Sequence, residues 1–164
     1  MTNFTFPYFG EIDLNNLQED YETKIRINNV EVDLHFENNS ISIAKAQTIK
    51  NVLENLTDFD IQNKTYIEND YHDEENSTVK EYLEFHLEEL DNKILAEFID
   101  FEDQNSNPEK QLLKKLKLAS IGFYPDDSDN FAVFDYTIDK KITNYLIVVN
   151  TDENIKLDQI TWES

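Results

Sequence analysis

The chain has 164 residues, no cysteine, two glycines and a formal net charge of -21. Leu, Ile, Val and Phe still supply 49 of the residues, enough apolar material to separate it from disordered acidic chains and to suit one domain spanning residues 1–164. The composition excludes disulfides and thiolate chemistry, leaves no glycine-rich phosphate loop, and disfavours binding to nucleic acid or anionic lipid, whose charge it would repel.

Taken in order, residues 1–17 are rich in aromatics ahead of Gly10 and read as an opening strand or extended arm. From Tyr21 the alternation is strict: Tyr21, Thr23, Ile25 and Ile27 share one face, and Val30, Val32, Leu34 and Phe36 return along it. Asn28-Asn29 is expected to form a two-residue turn between them, because asparagine tolerates the left-handed backbone of a tight hairpin.

Helical spacing then takes over. Ala46, Ile49, Val52, Leu53 and Leu56 mark a first helix, and Thr57 with Asp60 resembles a capping pair opening a second that runs to Tyr71. Ser77 or Thr78 is placed to cap a third, whose apolar stripe is Val79, Tyr82, Leu83, His86, Leu87 and Leu90. A shorter amphipathic piece covers 94–101, and Asn107-Pro108 opens a brief helix into the final segment. From Leu116 four runs rich in Val, Ile, Phe and Tyr alternate with Asp/Asn turns, the pattern of a β-meander. A change of inward phase between Leu118 and Ile121 implies a bulge. The expected fold is α+β: an antiparallel sheet of about six strands, hairpin plus four-strand meander, covered on one face by three to five helices.

Histidines and clustered carboxylates are the places to look for chemistry. His35 falls on the polar side of its strand, and His72 stands among Asp73, Glu74 and Glu75 without the histidine spacing of a zinc helix. His86 lies on an apolar stripe, which fits either a core histidine satisfied by a carbonyl or carboxylate, or a general base oriented by an acid such as Asp135, with Tyr136 nearby. The turn at 125–130 has hard oxygen donors but neither the register nor the closing glutamate of a calcium loop, and reads as Asp/Asn turn chemistry. No metal or cofactor is expected. Between Glu68 and Asp103 stand fourteen acidic residues against Lys80 and Lys93, while Lys110, Lys114, Lys115 and Lys117 make a small basic patch.

Tyr-Phe-Gly-Glu-Ile-Asp at 8–13, the run from Tyr82 to Leu90, Gly122-Phe-Tyr-Pro-Asp and the ending Ile-Thr-Trp-Glu-Ser together resemble an uncharacterised family of small acidic bacterial proteins, found mainly in Bacteroidetes. The resemblance implies a bacterial cytoplasmic setting and carries no activity, cofactor or catalytic residue. Two functions are in play. The first is an interaction protein that neutralises a basic partner, as immunity proteins do, through Asp73, Glu74, Glu75, Glu81, Glu84 and Glu88. The second is a small-ligand protein or hydrolase with a cleft near His86, Asp135 and Tyr136. Localisation is expected to be cytoplasmic, since the acidic N-terminal stretch lacks a basic leader and the longest apolar run is only Leu146 to Val149.

Overall fold

A computed structural model of the chain describes residues 2–26 and 28–164. In chain order the elements are β1 (Asn3–Phe6), β2 (Gly10–Asp13), β3 (Asp20–Ile25), β4 (Val30–His35), α1 (Ile43–Glu54), α2 (Leu56–Tyr71), α3 (Thr78–Glu89), α4 (Asn92–Leu95), α5 (Pro108–Lys115), β5 (Lys117–Phe123), β6 (Ala132–Thr137), β7 (Leu146–Thr151) and β8 (Leu157–Glu163). The fold is α+β, built on a six-stranded sheet in the order β3-β4-β5-β6-β7-β8.

Four of the five strand pairs are antiparallel, and β4 against β5 is parallel. This corrects the wholly antiparallel expectation. Parallel strands need a long crossover, and here everything from Phe36 to Leu116, helices included, provides it. The N-terminal stretch does open on a strand laid on the core, but β1 pairs with β2 as a separate hairpin and not with the main sheet. Its Phe6 and Ile12, together with Leu14 just beyond, are buried in the main core.

The β3–β4 hairpin keeps the expected faces, with Val30, Val32 and Leu34 buried. The two-residue turn expected is not what forms, because Val30 is paired with Ile25, whereas such a turn at Asn28-Asn29 needs residue 27 opposite it. Asn29 does take the left-handed conformation, at φ 57°. Ile27, expected on the apolar face, lies outside the described residues. In the middle of the sheet, the register of β5 against β6 shifts between Leu118 and Ser120, the bulge implied by the sequence phase.

Caps follow the local chemistry at three helices. Ser42, Ser77 and Asn107 each accept a hydrogen bond from the backbone N–H three residues on, and Pro108 occupies the first turn of α5. Helix α2 differs. It starts from Asn55 with no side-chain cap, so Thr57 and Asp60 do not form the expected capping pair. Asp60 is drawn elsewhere: it accepts a hydrogen bond from the Tyr136 hydroxyl at 2.7 Å and pairs with Lys64 at 3.2 Å.

The helices cover one face of the sheet. Phe134 and Tyr136 of β6, Ile147 and Val149 of β7 and Ile121 of β5 are fully buried there beneath Val79, Tyr82 and Leu83 of α3 and Ile67 of α2. The alternate residues of the same strands form the other face, which carries Asp33, Ser120, Asp135 and, across the register, Thr161 and Glu163.

Candidate functional site

Three regions hold the residues singled out by the sequence. The first surrounds His86, which is 1% exposed on the inner side of α3. Its Nδ1–H donates to the Tyr82 carbonyl at 2.7 Å. In the neutral ring that bond places the proton on Nδ1, so Nε2 accepts from the Thr143 hydroxyl at 2.8 Å. Burial lowers the His86 pKa, with the Tyr82 carbonyl opposing. Thr143 in turn accepts from the Tyr145 N–H at 3.1 Å, and the Tyr82 hydroxyl donates to the Tyr145 carbonyl at 2.9 Å. Burial pushes the pKa of Tyr82 up to about 12.

Around this network Tyr82, Phe85, Tyr145 and Trp162 pack edge-on or tilted, with ring centroids 4.9–6.0 Å apart. The arrangement fastens the β6–β7 connection to α3. A shallow cleft of about 460 Å³ opens beside it, lined by Phe85, His86, Thr143 and Tyr145 among others. Both imidazole nitrogens are already spent on the protein, which is the core-histidine reading of the sequence with a carbonyl and a hydroxyl as partners.

Asp135 and Tyr136 are not brought to His86. They are neighbours on one strand and therefore face opposite ways. Tyr136 points into the helix-covered core, where burial and the charge of Asp60 raise its pKa. Asp135 stands half-buried on the opposite face and accepts a hydrogen bond from Ser120 at 2.6 Å.

That face is the second region; the sequence singled out Asp135 and His35 separately but not the surface they share. Burial raises the Asp135 pKa, and the charges of Glu163 and Asp33 add to the effect against the Ser120 bond and Lys140. Asp33 is raised for similar reasons: burial first, then Glu22, Glu31 and Asp20. Tyr124 folds its ring back over Gly122, where a Cβ would lie 2.8 Å from Cε2. At its edge His35 pairs with Asp20 at 2.7 Å, and that bond raises the His35 pKa. With Glu19 these two present three ligand-type atoms within 4.8 Å of one another, at the surface. Alternating polar residues on β3 and β4 signal such a face. Only the parallel register brings them next to Ser120 and Gly122.

The third region is the exposed acidic surface. Asp73, Glu74 and Glu75 precede α3, and Glu81, Glu84 and Glu88 lie on its outer side. All six are exposed, and among the described residues none is in an ion pair. The two acidic turns are local structures: Asp127 accepts from the backbone of Asp129 and Asn130, and Asp152 from that of Asn154 and Lys156. Asp126 reaches further and ties the backbone of Glu37 and Asn38 to the turn. Among the described residues no helix is long and apolar enough to cross a membrane.

Comparison with protein-family models, with curated proteins and with solved structures yields no match.

Proposed function

We propose that this chain is an acidic interaction protein that captures and neutralises a basic protein partner, in the manner of a bacterial immunity protein. The observation that carries the reading is the run of exposed carboxylates from Asp73 to Glu88, in no ion pair among the described residues, in a chain of net charge -21. Such a surface raises the encounter rate with a cationic partner and repels phosphate backbones. Helix α3 is a rigid platform for it, because its inner side is fixed by Val79, Tyr82, Leu83 and His86.

The test begins with capture of partners from the native cell extract at low and high salt. The recovered basic protein is then titrated against the wild type and against Glu84→Lys/Glu88→Lys. The reading expects association at least tenfold slower for the variant and a shallower dependence on salt, with an unchanged fold by circular dichroism. Equal on-rates for the two proteins would remove α3 from the interface, and recovery of no basic partner at low salt would remove the function.

A further inference from the structure

A different corner of the molecule runs against its overall charge. Where the N-terminal hairpin and the start of α2 meet the ends of β3, β4 and β5, a cavity of about 470 Å³ is walled by Tyr8, Ile25, Val30, Leu56 and Leu118. Its polar lining includes Thr57, Asp60, Lys64 and Lys117. A second recess of about 250 Å³ adjoins it, sharing Asn28, Lys117 and Leu118, and adds Lys140 and Lys141. Together the two hold four lysines against the aspartates Asp60 and Asp139, in a chain with 14 basic residues against 35 acidic ones.

The cations come from separate parts of the fold: Lys64 from α2, Lys117 from the start of β5, and Lys140 and Lys141 from the β6–β7 connection. Lys64 is held by Asp60 at 3.2 Å, Lys117 by Asp139 at 3.9 Å, and Lys140 lies 4.0 Å from Glu31. Lys141 is exposed and in no ion pair among the described residues. Asp139 is partly engaged by the backbone N–H of Lys141, at 2.7 Å. Thr137 lines the smaller recess at 1% exposure. An apolar chamber with a few convergent polar groups is the usual make-up of a small-molecule site, and its volume is in the usual range.

We propose that this corner binds a small amphipathic anion, its apolar body between Leu56, Leu118 and Tyr8 and its carboxylate or phosphate head at Lys117 and Lys141. Tyr8 is positioned for the rim: it is 54% exposed, at φ 68°, and its carbonyl accepts a hydrogen bond from Thr23. The long-range field of the chain repels anions, so any preference for an anionic head over a neutral one must come from the local lysines.

Calorimetric titration of the full chain at about 150 mM salt with octanoate, octyl phosphate and 1-octanol tests this. One of the anions, at one per chain, is expected to bind at least tenfold tighter than the alcohol, and the tighter of the two identifies the head group. Lys117→Ala/Lys141→Ala is expected to abolish that preference while leaving the affinity for the alcohol within about twofold. Thr57→Trp, at an exposed wall position, should weaken all three. Equal affinity for anion and alcohol, an anion preference that survives loss of both lysines, or no saturable binding up to millimolar ligand would each overturn the assignment.

Discussion

Replacing Tyr136 by Phe isolates one hydrogen bond between the sheet and α2. The ring is fully buried, and its hydroxyl donates to Asp60 Oδ1 at 2.7 Å. A hydrogen bond to a charged group is worth about 1.5–3 kcal/mol. Asp60 retains Lys64 at 3.2 Å, and its side chain is 27% exposed, so it is partly rehydrated when the hydroxyl is lost. The cost should therefore fall at the lower end, about 1.5 kcal/mol, or roughly 3–6 °C in Tm for a domain of this size. Asp60→Asn keeps an acceptor and should cost less than Tyr136→Phe. Urea unfolding of both single variants and the double variant gives the coupling directly. An interaction energy of about 1 kcal/mol or more supports the bond as a structural tie. Additivity within about 0.4 kcal/mol would refute it and leave Tyr136 as a purely apolar plug.

Three further outcomes follow from the same geometry. His86 has a folded-state pKa below its unfolded value, so stability is lost as pH falls through about 6.5 towards the lower folded pKa. His35 is raised and works in the opposite sense, so the His86 contribution is read as the difference in urea stability between wild type and His86→Gln at pH 7.5 and 5. A loss on acidification equal in both proteins would dismiss it. Asp135 is raised, so its ionisation opposes folding as pH climbs from about 4 through the folded pKa. Asp135→Asn still accepts from Ser120 and should raise Tm at pH 7 with little gain at pH 3.5; a lower Tm at pH 7 would contradict this. Gly122→Ala places a Cβ within 3 Å of the Tyr124 ring, which is 37% exposed and able to swing away. A stability change under about 1 kcal/mol with a shifted tyrosine signal is expected, since the clash is with a movable side chain; a loss above about 3 kcal/mol would mean the ring is held in place.

Several features with local determinants are legible in the sequence, although the turn at Asn28-Asn29 and the start of α2 are not. The alternation of β3 and β4, the caps at Ser77 and Asn107, and the phase change at Leu118 each depend on residues within one turn or one strand pair. The parallel pairing of β4 with β5 could not be read, because side-chain alternation is the same in parallel and antiparallel ladders. Asp60 shows the same limit: its spacing from Thr57 suits a cap, and only the fold brings Tyr136, 76 positions away, within reach. Thr143 was missed as the partner of His86 because 57 residues separate them. The lysine corner was half visible. Lys117 belonged to a noted basic run, but Lys64, Lys140 and Lys141 join it only through tertiary structure.

The parallel junction of β4 with β5 also bears on how the chain acquires its structure. β4 emerges early in synthesis, yet its partner on one side begins only at Lys117, after all of α1 to α5. The β3–β4 hairpin must therefore wait, with Val32 and Leu34 uncovered on the side of that missing neighbour, until the last third of the chain is available. Closing so long a loop is costly in entropy and slow. Glu22, Lys24, Glu31 and Asp33 alternate along β3 and β4, the kind of charged edge that disfavours pairing with another chain.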